Sequence, residues 1–237
     1  MTHHVKLRST SSTPVRVADR MEDMMEQVKP HLRGWIHAIT APLALAVGIV
    51  LIALTPTAMG KLTVAIFVAT TVILFGHSAV YHRGNWSVRV GAILRRMDHA
   101  NIFLLIAGTY TPLSIFLLDR STATMVLSVV WGGALLGILL RAFWLDAPRW
   151  LYVPLYIALG WVAVWFLPQF WTAGGPAIVW LVVTGGLAYT LGAVVYALKW
   201  PDPAPRWFGF HEIFHVGTVI GYVCHCVAVF MAAMTLR

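Results

Sequence analysis

Charged residues are absent from six long stretches of this chain, 34–60, 62–82, 99–118, 121–140, 150–198 and 213–236. The hydrocarbon core of a bilayer, about 30 Å thick, takes roughly 20 helical residues, so five of these stretches each hold one membrane span. The stretch 150–198 is too long for one span and contains Pro168 and then the breaker cluster Gly174-Gly175-Pro176, so it holds two. The gaps therefore predict seven helices, near 36–56, 62–82, 99–118, 122–141, 150–167, 176–198 and 212–235. Their length and the lack of alternating polar positions argue against a transmembrane barrel, and the expected class is an all-α, integral-membrane, seven-helix bundle.

Composition agrees. Hydrophobic residues make up 59% and charged residues 11%, against about a quarter charged in a soluble domain. The 17 Lys and Arg exceed the 9 Asp and Glu by eight. On a polar surface that excess would suggest a nucleic-acid binder; in so apolar a chain it does not, and no nucleic-acid partner is expected. Cys224 and Cys226 lie two apart in an apolar run, on different sides of a helix, and read as packing residues.

Residues 1–33 form a polar arm with six basic and four acidic residues and no apolar core of a secretory signal; residues 34–237 form the membrane domain. Met21 to Val28 are compatible with a short interfacial helix or a disordered tail. If the N-terminus is cytoplasmic, 14 basic residues fall inside and only Lys61, Arg120 and Arg237 outside. The asymmetry recurs loop by loop and predicts a cytoplasmic N-terminus and an outside C-terminus, in a multi-pass protein of the cell inner (plasma) membrane.

An ionisable group within a span is expensive and points to function. The second predicted helix ends in Ser78-x-x-x-His82, the third opens at Asp98-His99, and the seventh opens with His211-Glu-Ile-Phe-His215. The topology brings all of these to the cytoplasmic side. Two His at i and i+4 grip a metal from one helix face, and a third from a facing helix fills three tetrahedral positions, leaving a fourth for water. Imidazoles without thiolates suit Zn²⁺, which acidifies water, so Asp98 is a candidate proton acceptor and Ser78 a hydrogen-bonding partner.

Other readings of the same residues stand beside this one. His82 and His211 lie near predicted interfaces, where imidazoles can sit among headgroups. Asp98 could bridge to Arg83, Arg95 or Arg96, and Glu212 either faces the cytoplasm or caps its helix. His37, His77 and His99 read as interface or interhelical hydrogen-bonding residues. His211 and His225, 14 apart, match the spacing of two haem ligands. His225 lacks a partner His at its depth, however, and reads instead as a buried packing residue.

These motifs resemble the haemolysin III family, the bacterial branch of the progestin and adiponectin receptor (PAQR) family, within a wider superfamily of membrane hydrolases that includes alkaline ceramidases. The likeness spans roughly residues 34–235 and includes Gly108-Thr-Tyr-Thr-Pro112 and Phe210-His-Glu-Ile-Phe-His215. The resemblance implies that His82, His211 and His215 ligate zinc, with Asp98 and Ser78 in the same polar site. One departure is Arg33-Gly-Trp-Ile-His37, which keeps only the His of a motif that in many relatives also carries an acidic residue and an Asn.

Two functions follow as expectations. One is a zinc-dependent hydrolase of a lipid amide or ester, the lipid entering laterally. The other is a non-enzymatic membrane regulator or cytolytic factor in which zinc is structural; seven nearly uncharged helices offer no evident pore-lining face for the lytic version.

Overall fold

A computed structural model describes residues 30–144 and 148–236 of the chain; Met21 to Val28 and the rest of the arm before Pro30 lie outside them. The helices are α1 (Trp35–Leu54), α2 (Ala58–Arg83), α3 (Val88–Leu117), α4 (Arg120–Phe143), α5 (Arg149–Gly160), a 3₁₀ segment (Trp161–Phe166), α6 (Leu167–Leu198) and α7 (Phe210–Met234). Among the described residues there is no strand, only a lone bridge between Ala204 and Phe208.

Six segments are long and apolar enough to cross a membrane, the fifth being the whole of Trp150–Leu198. Within it Gly175 adopts φ 81° and ψ 175°, a conformation open to glycine. The chain doubles back there. Trp161 Nε1 donates to Thr190 Oγ1 at 2.8 Å, although 29 residues of unbroken helix would separate them by about 44 Å. The reversal is thus at Gly175, and Pro168, expected as part of the break, instead sits in the first turn of α6, where its missing N–H costs nothing.

Helix ends differ from the charge gaps for a physical reason. A gap measures the hydrocarbon slab, whereas a helix continues until it is capped. Ser87 accepts from Val90 N–H and starts α3 at Val88, so Asp98 lies in its third turn rather than opening it. Thr57 caps α2 by accepting from Gly60 N–H, and Asp119 caps α4 by accepting from Ser121 and Thr122.

The exterior is apolar, with Leu136 70% and Leu191 66% exposed, as befits surfaces facing lipid. The interior has two clusters, one around Phe67, Phe75, Phe170 and Tyr222, the other around Phe103, Tyr152, Tyr156 and Tyr196. The end of α2, the third turn of α3 and the start of α7 meet at one end of the bundle.

Candidate metal centre

His82 is in the last turn of α2; His211 and His215 lie one turn apart at the start of α7. One ring nitrogen from each lies within 4.8 Å of the others. His82 Nε2 and His211 Nε2 are 3.3 Å apart, which is about the edge of a nitrogen tetrahedron around zinc at 2.0–2.1 Å. His215 is 1% exposed and its Nδ1 has no partner. A 3.3 Å contact also fits a hydrogen bond in which one of the two Nε2 atoms carries the proton, but three imidazole nitrogens within 4.8 Å of one another form a donor set that suits a divalent cation.

Asp98 Oδ2 stands 3.5 Å from His82 Nε2, and Ser78 is hydrogen-bonded to the same carboxyl group. Asp98 therefore turns toward the histidines and not, as the bridging reading had it, toward Arg83, Arg95 or Arg96. The five residues singled out from sequence are brought together, and Ser78, Asp98, His211 and His215 line one cavity.

The start of α7 is held by Glu212, which is fully buried, so of its two readings the helix cap holds and the cytoplasm-facing one is corrected. Its Oε2 accepts from Gly209 N–H at 2.9 Å, the expected cap, and its Oε1 accepts from Arg33 Nε at 3.0 Å. Two backbone bonds, from His31 to Arg206 and from Leu32 to Trp207, tie the segment before α1 to the loop before α7. Gly34 lets that segment pass over the end of α2: its φ is 81°, and a Cβ there would lie 2.9 Å from His82 Cβ.

Three residues emerge that the sequence did not assign to the site. His37 is 2% exposed, lines the cavity, and stacks on His215, so it is part of the site's wall and not an interface residue. His99 receives Arg141 Nη2 at 2.7 Å, and Tyr156 donates to its backbone oxygen, so its interhelical role holds while its ring also lines the cavity. Arg141, counted from sequence only as a topology charge, is 2% exposed and lies over the Tyr152 ring. Its position at the edge of an uncharged stretch was the available signal. His77 bonds Leu94 O and His225 bonds Val182 O, the interhelical roles expected of them.

A multi-pass integral-membrane helical protein with a buried triad of histidines able to hold a metal is the class that this fold and site define. The haemolysin-III related family profile matches residues 25–226, and the chain belongs to that family. It is 27% identical over 185 residues to Hemolysin-3 of Bacillus cereus, covering 76% of this chain and 84% of that one. It is 30% identical over 187 residues to the heptahelical transmembrane protein ADIPOR2 of Oryza sativa subsp. japonica, covering 72% of this chain and 77% of that one. The match to the Hemolysin-3 homolog of Bacillus subtilis, 32% over 107 residues, covers 45% of this chain and only half the length of that relative. The resemblance to the haemolysin III and PAQR proteins read from the motifs is thereby borne out.

Proposed function

We propose that the protein is a zinc-dependent hydrolase of a lipid amide or ester. The observation carrying this reading is a carboxylate 3.5 Å from one member of a histidine triad, at the end of an apolar cavity. His82, His211 and His215 would hold the metal, which when bound would supply Lewis acidity toward a carbonyl and toward water. Asp98 is placed to accept a proton from water, and the Ser78 hydroxyl keeps that carboxylate oriented. Leu74, Ile102 and Phe214 offer an apolar wall to an acyl chain and exclude bulk water from the reacting bond.

The membrane arrangement belongs to the same proposal. Each half of Trp150–Leu198 crosses once, reversing at Gly175, which makes seven spans; basic-residue asymmetry puts the N-terminus and the histidine triad on the cytoplasmic side. The rice relative's name, heptahelical, is consistent with that count.

The test incubates wild type, Asp98→Asn and Ser78→Ala with ceramides, N-acyl amines and phospholipids in nanodiscs, measuring product and bound zinc. Wild type should release a fatty acid from one of these classes, with turnover in Asp98→Asn lower by about 10²–10⁴-fold while zinc is retained. No cleavage by zinc-loaded wild type would leave the other reading, a structural clip. That reading has its own support, because His82 and His211 come from helices far apart in sequence.

A further inference from the structure

A second pair of buried polar groups lies deeper in the bundle, away from the histidine triad. His225 on α7 sends its Nε2 to the Val182 carbonyl at 3.1 Å. A carbonyl only accepts, so Nε2 carries the proton and Nδ1 of the neutral ring is a bare acceptor. That Nδ1 is buried with no partner, and so is the Tyr189 hydroxyl; the two rings are 5.4 Å apart, edge to face. Both residues line one cavity of ≈ 90 Å³, several times the 10–15 Å³ that one water requires. This cavity meets the one at the triad along Leu74, Ile102, Tyr156, Ala193, Phe214 and Thr218. The two cavities are thus neighbours that share one mainly apolar lining, with the triad beyond one of them and the pair of His225 and Tyr189 in the other.

Orphaned buried polar groups cost about 1–3 kcal/mol each, and their chemistry specifies what would satisfy them. Nδ1 needs a donor and the tyrosine can donate or accept, so a ketone or ether leaves Nδ1 unpaired whereas an alcohol satisfies both. We infer that His225 and Tyr189 form a hydroxyl-recognition site for an apolar chain whose polar head lies at the triad. This deepens the proposed function and rests on its acyl-chain cavity. His215 and His225 are ten residues apart, about 15 Å along the helix, so the hydroxyl sits in mid-chain, remote from the head.

The test measures binding of stearate, 12-hydroxystearate and 2-hydroxystearate to the full-length purified protein. Tyr189→Phe is the informative variant, since the lost hydroxyl bonds nothing in the protein, whereas a change at His225 also breaks the Val182 bond. Wild type should prefer 12-hydroxystearate over both others by about tenfold, and Tyr189→Phe, which keeps Nδ1 as acceptor but loses the hydroxyl, should reduce that preference several-fold. Equal affinities in wild type, or a preference undiminished in Tyr189→Phe, overturn the hydroxyl site, leave the hydrolase reading intact and assign the cavity's polar end to water. If none of the acids binds, both the hydroxyl site and the acyl-chain cavity fall.

Discussion

The imidazole of His37 lies flat against that of His215, ring centroids 3.9 Å apart and planes 16° from parallel. Phe75 also meets His37 edge to face, centroids 4.9 Å apart, so the ring is packed between neighbours of two helices and supports the rotamer of a proposed ligand. His37→Ala should weaken metal binding by about 10–100-fold, the range for groups that orient ligands, read by competition with a chelator. His37→Phe should retain most of the affinity, because it preserves the stack. An equal loss in both variants would mean that the His37 nitrogens themselves matter.

Arg33 and Glu212 form an ion pair in which the carboxylate is fully buried and the guanidinium 12% exposed. Removing one partner of a buried pair costs about 3–5 kcal/mol because the other is left uncompensated. Arg33→Ala should therefore lower thermal stability markedly. Glu212→Gln in the Arg33→Ala background should recover much of the loss, since the amide oxygen can still accept from Gly209 N–H. A double variant no more stable than Arg33→Ala alone would remove charge from the explanation.

Gly34 is constrained twice, by its positive φ and by the approach of His82 and Arg83. A left-handed conformation costs a side-chain-bearing residue about 1–2 kcal/mol, and the Cβ would also push on the backbone end of α2. Gly34→Ala should reduce both melting temperature and metal affinity, although residue 34 touches no metal. A loss of stability with unchanged affinity would show that the segment before α1 does not position His82.

Charge gaps made the helices legible, because the hydrocarbon slab tolerates few ions; the i, i+4 spacing of His211 and His215 made two of the three histidines legible, and Ser78-x-x-x-His82 on the facing helix the third. What was not legible follows from burial in three dimensions. Arg141 counted as an interfacial charge since nothing in its neighbours announces the Tyr152 ring beneath it. Glu212 looked like a solvent-facing cap because its partner is Arg33, 179 residues away. His37 carried no sequence-local partner, and its stack on His215 spans almost the whole domain.

Orientation is open to direct test. Cysteines introduced after Gly60, Thr122 and Gly175 should label from outside, and those after Asn85, Pro148 and Pro203 from the cytoplasm. Labelling after Gly175 decides the seven-span proposal: reactivity from the cytoplasm alone would mean that Trp150–Leu198 does not cross twice, and a C-terminal tag reached only from the cytoplasm would reverse the final helix.

The metal content of the purified protein tests the central claim most directly. Elemental analysis of wild type should give about one zinc per chain, and His82→Ala, His211→Ala and His215→Ala should each lower that occupancy together with thermal stability, since ligand binding favours the folded bundle. Zinc retained at wild-type level in all three variants, or wild type that takes up no zinc from a zinc-supplemented buffer, would contradict the account.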